Sequence, residues 1–238
     1  MISRSGDRPV NEDSARVIKA GDTMCFVLAD GLGGHGKGEV ASGLAVTAFE
    51  SVFCQNSGGD LKQLLAMGFE KAQQDILAEQ AKTGRSHQMK TTVCVLAVRG
   101  KELAWGHIGD SRLYGFAHRR VKSCTPDHSV PYMLVKAKTI KLKDIRNHPD
   151  RNKLLRVLGN GGEAPKFEIN AGRRLGGYQQ FLLCSDGFWE LITEKDMCRL
   201  LRESDHVQGW LDTMTALVEQ NGTEKDMENF SAIAVTLK

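Results

Sequence analysis

The sequence predicts an α+β fold and argues against the regular βαβ alternation of a doubly wound sheet. Two observations carry this. Two helical patterns follow each other between the second and third strand-like runs, and later consecutive runs are joined by tight turns. In chain order, runs 14–19 (SARVIK) and 23–29 (TMCFVLA) read as the first strands. Residues 38–54 then place Val40, Leu44, Thr47 or Ala48 and Val52 on one helical face. Residues 60–82 place Leu61, Leu64, Leu65, Phe69, Ala72 and Ile76 on another, with Asp60 as a natural N-cap. Runs 91–98 (TTVCVLAV) and 102–108 (ELAWGHI) form a hairpin turning at Arg99, Gly100 and Lys101. Runs 112–116, 180–185 and 231–237 complete the strands. Thr193 opens a helix toward Leu201, and 207–220 makes a further one.

The 238 residues hold no Pro, Ser or charge-rich linker, so one domain spanning 1–238 is expected. A hydrophobic fraction of 41% and a charged fraction of 26% are those of a soluble globule. No apolar run approaches the ~20 residues of a membrane span, and "MISRSGDRPVNEDS" offers no apolar signal segment, so the expected location is the cytoplasm. The six cysteines form no C-x-x-C pair, and three lie inside apolar runs, which suits reduced core thiols. A net charge of +3 is too small to imply nucleic acid. Residues 118–156 nevertheless hold eleven Lys and Arg against three Asp, which suits either an anionic substrate or a solvated face.

The stretch "FVLADGLGGHGKGEVAS" (26–42) admits three readings. Gly31, Gly33 and Gly36 satisfy a dinucleotide fingerprint, but its acid is missing, because Glu50 falls inside a helix. Gly31 to Lys37 nearly makes a Walker A loop, but Gly38 stands where Ser or Thr should hold magnesium. The third reading puts the weight on Asp30, at the end of a strand with bare backbone beyond it.

Four more acids stand where strands begin or end: Asp13 in "NED", Asp110 in "GDSR", Asp186 in "SDG" and Glu228 in "MENF". A single Asp-Gly is more often a turn than a ligand. Repetition of the placement is what matters, since converging ionised carboxylates are tolerable only with cations to neutralise them. Hard oxygen donors without paired His or Cys point to Mg2+ or Mn2+ and not zinc, and two such ions would activate a shared water.

Eight segments in order, "RPVNED", "ADGLGGHGKGEVAS", "TTVCVLAV", "GDSRLY", "TPDHS", "HPDRNKLLRVLG", "LLCSDGFWE" and "ENFSAIAV", make the chain resemble the metal-dependent PP2C (PPM) family of serine/threonine protein phosphatases in its compact bacterial form. The resemblance implies an α-β-β-α sandwich of two mostly antiparallel sheets flanked by helix pairs, with a Mn2+ or Mg2+ centre at one end. By similarity, Asp30 bridges two ions and the Gly31 carbonyl binds one. Asp13, Asp186 and Glu228 complete the set, and Glu12 acts through bound water. Asp110 and Asp186 match a third, weaker metal position, and Arg8 matches the residue that binds substrate phosphate. The implied chemistry is in-line hydrolysis of phosphoserine and phosphothreonine by an activated water, with no covalent enzyme intermediate. A partner Ser/Thr kinase whose action the enzyme opposes, and a monomeric state, are expected.

Two departures stand out. Glu228-Asn229 replaces the usual Asp-Asn, and Leu32 stands where eukaryotic members carry a histidine proposed as general acid; His35, three residues on, is not assigned that role. Residues 125–159 resemble the flap beside the active site, with Lys138 in place of a family glycine. A cationic flap is expected to favour phosphoproteins with acidic surroundings. The alternative is a catalytically weak module that keeps the fold and binds a partner. Glu228 and Leu32 favour it; Arg8, Asp13, Asp30, Asp110 and Asp186 argue against it.

Overall fold

The computed structural model describes residues 1–32, 37–84, 88–162, 164–174 and 177–237, so Gly33, Gly36 and His35 lie outside the described residues. Eleven strands and six helices follow in the order β1 (Ile2–Arg4), β2 (Asp13–Ala20), β3 (Thr23–Leu32), α1 (Gly38–Gln55), α2 (Leu61–Thr83), β4 (Lys90–Thr91), β5 (Val93–Arg99), β6 (Glu102–Ile108), β7 (Arg112–Ala117), β8 (Arg120–Cys124), α3 (Val130–Lys136), a 3-10 turn (Leu142–Asn147), β9 (Glu168–Arg174), β10 (Gln180–Cys184), α4 (Asp186–Trp189), α5 (Glu194–Glu203), α6 (Val207–Gly222) and β11 (Phe230–Thr236) among the described residues. One sheet runs β1-β11-β10-β7-β8 and the other β2-β3-β5-β6-β9, with β4 beside β3. The pairings are antiparallel.

Three apolar layers hold these parts together. Cys25, Val27, Ala29, Val93 and Val95 face Phe49, Phe53, Leu65 and Phe69 of α1 and α2. Tyr114, Phe116, Leu182 and Cys184 face Trp210, Leu211 and Met214 on the other side. Leu28, Leu96, Leu113, Leu183 and Ile233 fill the space between the sheets. The period of two along a strand divides each sheet cleanly between its helix layer and the middle layer.

That alternation places the site. On β3, Phe26 and Leu28 belong to the middle layer, so Asp30 continues the same face. Asp13 shares the face of Ala15 on β2, Thr92 that of Cys94, Ser185 that of Leu183, and Ser231 that of Ile233. The interior of the sandwich thus changes from Leu and Ile to Asp, Ser and Thr at one end.

Several expectations about the elements are corrected. Asp30 does not end its strand; β3 runs on because Gly31 and Leu32 pair with Thr91 and Lys90. The run 91–98 is broken at Thr92, whose amide turns to the Asp30 carbonyl. The buried face of α1 is Ala41, Ala45, Ala48, Phe49 and Val52, while Thr47 is exposed and Val40 and Leu44 are half-buried. Val40 and Leu44 pack at the edge of the core that this face enters. The hairpin turns at Gly100 and Lys101, with Arg99 paired to Glu102 and Gly100 at φ +56°. Asp60 caps α2 as expected, accepting from the Gln63 amide at 3.0 Å. The six cysteines are free, and among the described residues no helix is long and apolar enough to cross a membrane.

Candidate active site

A cavity of about 730 Å3 opens at the polar end, lined by Arg8, Glu12, Asp30, Gly31, Asp110, Asp186, Glu228 and Asn229 along with Pro9, Val10, Leu32, Asn152 and Leu154. Asp13, buried beside it, sits directly across from Asp30 in the β2–β3 register. The structure therefore brings all eight sequence-derived candidates, Arg8, Glu12, Asp13, Asp30, Gly31, Asp110, Asp186 and Glu228, to one place.

Each is fixed by its neighbours. The Asp30 amide donates to Thr92 Oγ1 at 3.1 Å, and its carbonyl accepts from the Thr91 hydroxyl at 2.8 Å and the Thr92 amide at 2.9 Å. Gly31 donates to the Glu12 carbonyl at 3.2 Å. A Cβ on Gly31 would collide with the Gly38 backbone and lie 2.6 Å from the Glu12 carbonyl, so the close approach of these three segments requires glycine. Asp13 Oδ2 accepts from the Ser185 hydroxyl at 2.8 Å, and Ser185 Oγ accepts from the Ser231 amide at 2.9 Å. Asp186 begins α4 and accepts from the Gly187 amide at 2.6 Å. Asp110 follows β6, its carbonyl held by the Trp189 indole N–H at 3.1 Å.

The acids are electrostatically strained. Burial first, then repulsion from Asp186 and Asp13, pushes the Asp30 carboxyl well above the usual range. Asp110 is raised well above it by burial, then by Asp186. Burial raises Asp13 to about 7, and burial followed by the charge of Glu228 raises Asp186 to about 6. Asp13 Oδ1 is buried without a hydrogen-bond partner. Among the described residues, none of Asp13, Asp30, Asp110 and Asp186 makes an ion pair. Oxygen donors converging around an orphaned buried oxygen fit a hard divalent cation.

Arg8 lies at the rim, pairing with Asp226 at 2.9 Å and Glu228 at 3.6 Å. Its loop is laid down by Asn229, whose side chain accepts from the Glu12 amide at 2.9 Å and donates to the Ser5 and Val10 carbonyls at 2.8 and 3.0 Å. Asp7 adds a bond from the Met227 amide at 2.9 Å. Sequence reasoning missed Asn229, Asp226, Ser185, Ser231 and the Thr91–Thr92 pair as site residues. Only Ser185, beside Asp186, and Asn229, beside Glu228, carried a local signal. Leu32, at the position of the eukaryotic histidine, lines the cavity.

A second titratable group lies nearby. His107, His128 and Glu168 bring one candidate ligand atom each within 4.8 Å of one another. His107 Nδ1 is buried without a partner, but the bonds of His128 and the stacking of the two rings argue against a metal there. The Gly109 amide donates to His128 Nδ1 at 3.2 Å, so neutral His128 carries its proton on Nε2, which faces Glu168 at 3.2 Å. The imidazoles are stacked 4.6 Å apart, so their in-plane lone pairs do not converge on one ion.

A layered sandwich with carboxylates gathered at one end and an arginine at the rim defines a site for handling an anion through cations. The sequence model of the protein phosphatase 2C family matches residues 3–230, and the chain belongs to this family. It is thereby a protein phosphatase. It is 27% identical over 224 residues to the serine/threonine phosphatase stp of Listeria monocytogenes, covering 91% of this chain and 87% of that one. The crystal structure of the serine/threonine phosphatase Stp1 from Staphylococcus aureus superposes with a TM-score of 0.87 at 26% identity, covering 100% of this chain and 93% of that one. The catalytic domain of the serine/threonine protein phosphatase PstP in complex with two manganese ions superposes with a TM-score of 0.81 at 26% identity, covering 100% and 96%. The expected α-β-β-α sandwich is the architecture observed.

Proposed function

We propose that the chain hydrolyses phosphoserine and phosphothreonine on proteins using two divalent cations, Mn2+ or Mg2+. Asp13, Asp30, Asp186 and Glu228, with the Gly31 carbonyl, hold them, and Glu12 acts through water. Asp110 and Asp186 are available to a third. The observation that carries this reading is the convergence of Asp30, Asp110 and Asp186 on one cavity with Asp13 beside it, all with pKa values raised first by burial and none with an ion pair among the described residues. The two manganese ions of the PstP catalytic domain support it. When bound, such cations activate water for in-line attack and neutralise charge on the phosphoryl oxygens.

The chain's own residues do the rest. Arg8 presents a fork of donors that can exchange Asp226 and Glu228 for two phosphate oxygens. Asn229 fixes the loop that carries Arg8 and Glu12, and Thr91 and Thr92 fix the main chain of Asp30. The buried floor keeps these groups in a low dielectric, where oriented charge acts more strongly than in water. In this reading residues 1–238 form one catalytic domain with 125–159 as its flap, acting as a cytoplasmic monomer that opposes a Ser/Thr kinase.

The test is hydrolysis of a phosphothreonine peptide with Mn2+, with chelator, and by Asp186→Asn. Turnover that needs Mn2+ and disappears in the folded variant is expected. Glu228 and Leu32 favour a second reading, a weakly catalytic binding module. Folded wild-type protein without metal-dependent turnover would favour it instead.

A further inference from the structure

Eight cations lie between residues 130 and 156, and the structure divides them into two sets. Four are engaged. Arg146 donates to the Trp189 carbonyl at 3.0 Å and the Ile192 carbonyl at 3.2 Å, and pairs with Glu194 at 2.8 Å. Arg151 pairs with Glu190 at 3.1 Å, Lys153 with Asp150 at 2.8 Å and Arg156 with Glu168 at 3.4 Å. The other four, Lys136, Lys138, Lys141 and Lys143, are exposed, and none makes an ion pair among the described residues, although Lys136 lies over the Tyr132 ring at 5.7 Å from its centre. Asp144, the one acid within this lysine run, accepts from the Lys141 amide at 2.9 Å. Lys138 has φ +60°, a left-handed conformation that favours glycine and costs a residue bearing a Cβ. Neither an ion pair nor an easy backbone explains a lysine there.

The lysine run is fastened to the site. Ser129 bridges Leu154 at its root, and Asn152 and Leu154 on the returning limb line the cavity. Ile145 is buried in the same cluster as Phe188 and Trp189, and Arg146 and Arg151 grip the segment that follows Asp186. The cavity's carboxylates and the cations they would hold act on the phosphoryl group, not on the residues flanking it in an acidic peptide. Discrimination in favour of such a peptide therefore needs cations outside the cavity, held in fixed relation to it.

We propose that Lys136, Lys138, Lys141 and Lys143 form a docking surface for the acidic residues that flank the phosphorylated side chain of a protein substrate. This rests on the phosphatase reading and names its substrate class. Exposed charges act through solvent over about a Debye length, ~10 Å at 0.1 M salt, so the surface selects and steers and is sensitive to salt.

The experiment compares two phosphothreonine peptides of equal length, one flanked by Asp and Glu and one by Lys and Arg, with p-nitrophenyl phosphate as a substrate that has no flanks. Wild type and a fourfold variant, Lys136→Gln, Lys138→Gln, Lys141→Gln and Lys143→Gln, are assayed at low and high salt. In wild type at low salt the acidic peptide is favoured by about tenfold in kcat/KM, mostly through KM, falling to about twofold at high salt and in the variant. Turnover of p-nitrophenyl phosphate is unchanged in the variant, which also shows that it has folded. A preference that survives in the variant, or that favours the basic peptide, overturns the proposal. So does a variant whose only defect is lost binding to phosphatidylglycerol vesicles, which would assign the surface to a membrane. Peptide binding read by fluorescence anisotropy needs no turnover. Absent hydrolysis would therefore sink the phosphatase reading, whereas absent binding preference would sink this one.

Discussion

Two buried charged clusters meet at Asp110, and they answer the cost of burial in opposite ways. Beneath it, Arg112 binds Asp127 through two bonds of 2.8 and 2.7 Å, donates to the Tyr114 hydroxyl at 3.0 Å and stacks 3.5 Å from the Trp189 ring centre. Tyr114 passes a bond to Glu194, which also pairs with Arg146. At the cavity, Asp13, Asp30, Asp110 and Asp186 repel one another, and none makes an ion pair among the described residues. Both clusters lose hydration, worth several kcal/mol per ion. The first is compensated from within, and so is structural. The second is left uncompensated, which marks where the molecule takes its charge from outside.

Breaking each cluster separates the two roles. Asp30→Asn removes a central carboxylate while keeping its shape. Its kcat/KM on a phosphothreonine peptide is expected to fall by about 10³-fold or more, on the order of 4 kcal/mol. Calorimetry without added metal is expected to show Tm unchanged or higher, because repulsion is relieved. Arg112→Met is expected to do the reverse in kind. It strands Asp127 and costs about 3–5 kcal/mol in urea unfolding. Adding Asp127→Leu restores most of that loss if the pair is structural.

Asn229→Ala tests the scaffold at the cavity rim. Loss of its three bonds leaves the Glu12 amide and two carbonyls short of partners, and a stability loss of about 1–3 kcal/mol is expected. KM should rise more than kcat falls, because the Arg8 loop loosens. The reverse split in steady-state kinetics would place Asn229 in the chemical step.

The pH dependence of the acid cluster should oppose that of His128, the chain neighbour of Asp127. Asp13 at about 7 and Asp186 at about 6 lie above their unfolded values of about 3.9, so the folded state holds more protons between the two. In chelator, their contribution is fully present below about pH 4 and is lost as pH rises toward 7. His128, lowered to about 4 chiefly by burial, has the opposite slope: stability is lost as pH falls from about 6.5 toward 4. Differential scanning fluorimetry in chelator is expected to show the acids lowering Tm as pH rises from about 4 toward 7, and His128 lowering it as pH falls from about 6.5 toward 4. Asp13→Asn should flatten the loss above pH 5, and His128→Asn the loss below 6.5.

The contrast between the clusters also explains what could be read from sequence. Carboxylates beside Gly and at strand ends advertise themselves, because a ligand needs bare backbone and a turn. Asp13, Asp30, Asp110, Asp186 and Glu228 were legible for that reason, though not the register that sets Asp13 opposite Asp30. The Arg112–Asp127 pair was illegible, since only the return of the chain after β8 brings Asp127 beneath β7. Short or polar strands failed similarly. β8 (RVKSC) and β9 (EINAGRR) have no apolar run long enough to announce a strand, and pairing with β7 and β6 makes them so. The α1 face was misjudged because Val40 and Leu44 outrank Ala41 and Ala45 in hydrophobicity. The helix turns Ala41, Ala45 and Ala48 inward together with Phe49, Val52 and Phe53, and Val40 and Leu44 pack at the edge of the same core.

Calorimetric titration of Mn2+ into metal-free wild-type protein and into folded Asp30→Asn tests most directly whether the uncompensated cluster is a cation site. The account predicts at least two equivalents bound by wild type, with a rise in Tm, and loss of at least one equivalent in the variant. Wild-type protein that binds no Mn2+ at millimolar concentration, or a variant that binds it equally well, would contradict it.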